Sequence, residues 1–181
     1  MSQPSWRSKP LVSLKKGPLI LQAKALHRQM NEAIAAGDAD TLEKIVDPSL
    51  YMPLVVNIQQ RPRGHTCTWE LVKYNGEPKV VSHKIFPFPG IKDKLLWQVA
   101  VSIPSRQRVV ERDGRRRVVP GSEKEMDLVE NVIISNMLDN DSWTTTGDWK
   151  ILATVQPMTP EKWVEEQKTV KLLTDAQIPK R

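Results

Sequence analysis

The chain has 181 residues, 39% of them hydrophobic and 27% charged, a balance that suits one soluble core with tails and is too apolar for a disordered chain. Its single cysteine, Cys67, rules out an internal disulfide and a cysteine redox pair, and no run reaches the roughly 18 apolar residues of a membrane span. The net charge of +6 lies entirely in residues 1–31, where six basic residues precede the first acid, Glu32. A basic arm on a neutral domain points to a polyanion: nucleic acid or an anionic membrane surface.

The arm, residues 1–17, carries Arg7, Lys9, Lys15 and Lys16 together with Trp6. It has the composition of an organellar targeting segment, but its prolines make it a poor helix. Leu19, Ala23, Leu26, Met30 and Ala33 then recur at helical spacing, which predicts a first helix from about Pro18 to Ala36, stopped by Gly37. Asp40 followed by Glu43 resembles a capping box for a short second helix, broken at Asp47-Pro48. Leu50, Leu54 and Ile58 predict a third short helix, provided that Pro53 lies in its first turn, running into the basic loop Arg61 to Gly64.

Beyond Gly64 the period falls to two. TCTWELVKY and KVVSHKIF flank Asn75-Gly76 and read as a hairpin. In LLWQVAVSI, Leu95, Trp97, Val99, Val101 and Ile103 share one face. EMDLVENVIISNML is apolar at both parities around Val132 to Ile134, as expected of a central strand with a bulge, and GDWKILATV closes the sheet. Thr159-Pro160-Glu161 predicts a C-terminal helix with Trp163, Gln167 and Val170 on one side. Helices segregated from strands give an α+β class, drawn as a bent antiparallel sheet wrapped on its helices. The expected divisions are residues 1–17, 18–158 and 159–181.

Six arginines fall between residues 106 and 117: Arg106, Arg108, Arg112, Arg115, Arg116 and Arg117. Asp113-Gly114 predicts a two-residue turn pairing Arg112 with Arg115 and Glu111 with Arg116. Like charges across that register repel, and an anion would relieve them. A solvated edge hairpin is the plain reading; a planar guanidinium suited to bidentate phosphate contact is the functional one, and it favours RNA phosphate. Arg61 and Arg63 are further candidates.

Signs of an enzyme are sparse. None of His27, His65 and His83 has a second histidine at metal-ligand spacing. His27 lies beside the apolar stripe of the first helix and reads as structural. His83 could form an acid/base pair with Asp127 or Glu130 in a cone-shaped cavity. Neither a metal nor a cofactor is expected. Trp69, Trp97 and Trp149 read as core.

ALHRQMNEAIAAGDADTLEKIVDPSLY, WELVKYNGEPKVVSHKIFPFPG, LLWQVAVSIPSRQRVVERDGRRRVVPG, MDLVENVIISNML and DWKILATVQP together resemble a known family over about residues 20–160. It is the family of the mitochondrial large-subunit ribosomal protein numbered forty-five. That family shares its domain with the inner-membrane translocase subunit numbered forty-four and includes the fungal membrane-associated ribosome receptor. The resemblance implies a cone-shaped domain like nuclear transport factor two, without catalysis. It also implies a place near the polypeptide exit of the mitochondrial ribosome, against ribosomal RNA and neighbouring ribosomal proteins, on the matrix side of the inner membrane. There the protein would help align the ribosome with the insertion machinery. An import adaptor that binds anionic lipid is the alternative from the sister family.

Overall fold

The computed structural model describes residues 15–88, 90–91 and 93–156. Arg7, Lys9 and Trp6 of the expected arm, and the expected C-terminal helix, lie outside these residues. Three helices come first: α1 (Lys16–Ala36), α2 (Ala39–Ile45) and α3 (Pro48–Gln59). On α1 the stripe of Leu19, Ala23, Leu26, Met30 and Ala33 is buried, and the helix ends at Gly37 in the left-handed region, φ 75°. A side chain there would be strained, so glycine is the natural stop.

The second helix is capped two residues earlier than expected. Asp38, not Asp40, accepts from the Thr41 backbone N–H at 3.0 Å and from the Thr41 hydroxyl at 2.6 Å. The reason is that the αL turn at Gly37 already frees residue 38 to adopt the cap conformation. Asp47 repeats the device for α3, accepting from the Ser49 N–H at 3.0 Å, with Pro48 at the first helical position. Because α3 begins there, Pro53 falls in its second turn rather than its first, where it removes the backbone bond to the carbonyl of Ser49.

Five strands form one antiparallel sheet: β1 (Thr66–Tyr74), β2 (Lys79–Pro87), β3 (Lys94–Arg112), β4 (Lys124–Asp139) and β5 (Lys150–Val155). The expected β1–β2 hairpin does not form. Both strands pair with β3, β2 along residues 95–102 and β1 along residues 105–112. At 19 residues β3 is long enough to take both partners end to end along one edge. Pro104 marks the change of partner, its carbonyl accepting from the Asn75 N–H at 3.0 Å, so Asn75-Gly76 is a step between strands. The order β1-β3-β4-β5 puts β4 inside the sheet, and its pairing with β5 shifts register between Ile133 and Ile134, the bulge expected of it.

All three helices lie on one face. Trp97, Val99, Val101 and Ile103 of β3 meet Val132, Ile134 and Leu138 of β4 there, packed under α1 and α2. Trp97 and Trp149 stand edge to face with centroids 5.1 Å apart. Helix α3 differs from its neighbours: none of its residues is fully buried, it carries no charged side chain, and Met52 and Val56 are exposed.

Candidate nucleic-acid interface

The loop after α3 and the loop after β3 meet at one end of the domain. Gly64 has φ 82°, a conformation that favours glycine, and a Cβ there would stand in van der Waals contact with the Cα of Gly114, 3.5 Å away, which shows how near the two loops lie. Between them lies a cleft of about 480 Å³ lined by Gly64, Thr66, Arg112, Asp113, Gly114 and Arg116. Thus Arg63 and Arg112 to Arg117, read from the sequence as separate candidates, belong to one basic tip.

The tip is not the two-residue turn that Asp113-Gly114 predicts. Arg112 bridges to Val118, and the regular ladder begins only at Val109 opposite Lys124. The cause is the Asp113 side chain, whose Oδ1 accepts from the backbone N–H groups of Arg115 at 2.8 Å and Arg117 at 2.9 Å. That local cap competes with the tight turn and places Arg116, not Gly114, in the left-handed region at φ 62°. The expected pairings of Arg112 with Arg115 and Glu111 with Arg116 are therefore absent; Glu111 bonds His65 instead, Oε1 to Nδ1 at 2.7 Å. The Arg117 N–H holds the Asp113 carboxyl below its ordinary range against the opposing effect of burial, helped by the Arg117 side chain and the Arg115 N–H.

The arginines divide by partner. Arg106 is bidentate on Asp127, Nε to Oδ1 and NH2 to Oδ2, each at 2.8 Å, with Glu125 at 3.6 Å. Bonds from Arg106, and then from Asn75, hold the Asp127 carboxyl far below its ordinary range. Arg108 pairs with Glu123, and Arg117 with Asp113. Arg61 points inward and donates to the carbonyls of Ala35 at 2.8 Å and Ile34 at 2.5 Å, so it caps the end of α1 and is committed to the fold. Arg112 donates to the Arg116 carbonyl at 3.3 Å and, like the exposed Arg63, Arg115 and Arg116, has no carboxylate partner among the described residues. Lys15 and Lys16 are exposed at the start of α1.

The acid/base pair considered for His83 does not assemble. His83 is exposed on β2 opposite Val99, far along β3 from the partners of Asp127 and Glu130. Glu130 is taken instead by His27, Nε2 to Oε2 at 2.9 Å, and by the Gln107 amide at 2.6 Å. Gln107 in turn accepts from Trp69 Nε1 at 2.8 Å, and Trp69 meets the His27 ring edge to face at 6.2 Å. Burial pushes the Glu130 carboxyl up, but the bond and charge of His27, with the Gln107 bond, outweigh it and leave the group below its ordinary value. This closed polar network pins α1 to the sheet, as expected of a structural His27. Among the described residues no three metal-ligating side chains cluster, and no helix is long and apolar enough to cross a membrane.

No curated protein matches this chain. Among solved structures it is similar to the intermembrane space region of the chloroplast protein ARC6, with 12% identity over 77% of this chain and 97% of that one and a TM-score of 0.40. The sequence pattern of the MBA1-like protein family matches residues 6–172, so the match takes in both basic loops and the whole sheet. The chain belongs to the MBA1-like family, which is mitochondrial and linked to the association of ribosomes with the membrane.

Proposed function

We propose that the protein is a non-catalytic adaptor of the mitochondrial large ribosomal subunit. It sits near the polypeptide exit and helps hold the ribosome at the inner membrane while nascent chains are inserted. Its bent α+β domain is read as a cone like nuclear transport factor two. The observation that carries the reading is the basic tip, where Arg63, Arg112, Arg115 and Arg116 present guanidinium groups that pair with no carboxylate among the described residues. Such a cluster suits the phosphates of ribosomal RNA, which fix position without reading sequence. Arg106, Arg108 and Arg117 support it by shaping the hairpin. The basic residues Lys15 and Lys16 at the start of α1, the end of that helix remote from Arg61, with Arg7 and Lys9 before them in the sequence, are read as a separate contact for RNA or lipid.

Helix α3 favours a second contact. A helix without charge that exposes Met52 and Val56 and runs into Arg63 is suited to an anionic lipid surface, the import adaptor's partner in the alternative reading. Sedimentation of a detergent-solubilised mitochondrial lysate through a gradient at moderate salt separates the two. Migration with the large ribosomal subunit supports the ribosomal adaptor. Migration as a free small protein that still binds cardiolipin vesicles overturns it in favour of the lipid adaptor.

A further inference from the structure

The helices cover one face of the sheet, and no described element covers the other. Alternation places Leu96 and Met137, a cross-strand pair, on that open face, with Phe86 beside Leu96 on β2. Here a cavity of about 350 Å³ has Leu96 and Met137 in its walls together with Phe88 and Lys150. Phe86, Val129 and Val155 of the same face are exposed. An apolar patch with a pocket in it is costly to leave in water, so an occupant is called for.

We propose that the C-terminal segment, residues 157–181, docks on this face and that Trp163 fills the pocket. Three observations on the chain support that occupant. First, the pocket is within reach of the chain that leaves β5. The strand runs from Lys150 beside the pocket residue Ser135 to Val155 opposite Asn131, so a chain that turns back over the face has Ser135 and Met137 four to six positions along β4, roughly 14–20 Å away. Trp163 is eight residues past Val155, a reach of up to about 27 Å when extended. Second, both sides carry charges of both signs that can pair: Lys84 and Lys150 with Asp47 and Asp148 at the pocket, and Glu161, Glu165 and Glu166 with Lys162 and Lys168 around the tryptophan. Third, the family match continues past the sheet to residue 172, so it includes Trp163.

The test uses the full chain labelled with fluorotryptophan, whose six fluorine resonances are assigned by single substitutions, Trp163→Phe among them. Docking predicts that the Trp163 resonance lacks the H2O/D2O isotope shift of an exposed indole. It also predicts that Met137→Ala restores that shift while the resonance of buried Trp97 keeps its position, which shows that the fold survives. A full isotope shift at Trp163 in the unsubstituted chain overturns the proposal. So does protection that fades on dilution, the mark of a second copy on the face, or protection that appears only with added cardiolipin vesicles, the mark of a lipid occupant.

Discussion

Replacing Arg63, Arg112, Arg115 and Arg116 together by glutamine removes the four tip guanidiniums that have no carboxylate partner among the described residues, while the exposed positions leave the core untouched. Each phosphate contact contributes roughly 0.7 to 0.9 to the slope of log affinity against log salt, so four contacts supply a slope of about 3. Between 50 and 200 mM salt that slope weakens binding roughly 60-fold, a dependence the variant should lose. The assay is fluorescence anisotropy of a labelled RNA hairpin titrated at several KCl concentrations. The informative control is the set Arg106→Gln, Arg108→Gln and Arg117→Gln, because those side chains already hold Asp127, Glu123 and Asp113. A phosphate would have to displace a carboxylate to reach them, so their loss should change the slope little. The reasoning is refuted if the slope survives in the first variant, or if both variants lose it equally.

Arg61→Ala should lower stability by about 1–3 kcal/mol in urea denaturation, since it strips two carbonyls at the end of α1 of a charged donor. It should leave the salt slope of RNA binding unchanged, and a large loss of slope would show that Arg61 does reach RNA. His27→Leu deprives the partly buried Glu130 of one of its two donors and should cost about 1–3 kcal/mol, with Glu130→Gln milder; an unchanged urea midpoint for His27→Leu would contradict the network. The Asp139 carboxyl is held down to about 2 by the Ser142 N–H, Lys94 and the Ser142 hydroxyl. Because its folded value lies below the unfolded one, its contribution is present above about pH 4 and fades as pH falls toward 2, and Asp139→Asn should flatten that part of the thermal-stability profile.

What was legible before the structure follows from the range of the interactions involved. The helices depend on neighbours three or four residues apart, and the stripe from Leu19 to Ala33 with its stop at Gly37 was readable at sight. Period two likewise placed Trp97 to Ile103 on one face, and the both-parity run of β4 marked an inner strand. Strand pairing was not local in this way. Asn75-Gly76 is a good hairpin signal, but the long edge of β3 offered β1 and β2 separate places, and no short stretch encodes that.

The site shows the same division. The arginine run pointed to the tip, but which guanidiniums stay available depends on carboxylates 15 to 21 residues away, Glu123 for Arg108 and Asp127 for Arg106. At Asp113 the carboxylate captured two backbone donors within its own loop and so defeated the turn that its identity as Asp-Gly suggested. Arg61 looked like its neighbour Arg63, and it is the tertiary approach of the end of α3 to the end of α1, where Ile58 stands beside Gly37, that brings it to the carbonyls of Ile34 and Ala35. His27 and Glu130, 103 residues apart, carry no joint signal in the sequence at all.

The most direct measurement is ultraviolet crosslinking of intact mitochondrial large subunits, with mass spectrometry locating the nucleotide adducts on this protein. Adducts concentrated in residues 63–66 and 112–117, the two loops around the cleft, are the expected result. Adducts confined to other surfaces, with the chain still on the subunit, would contradict the basic tip as its seat on RNA.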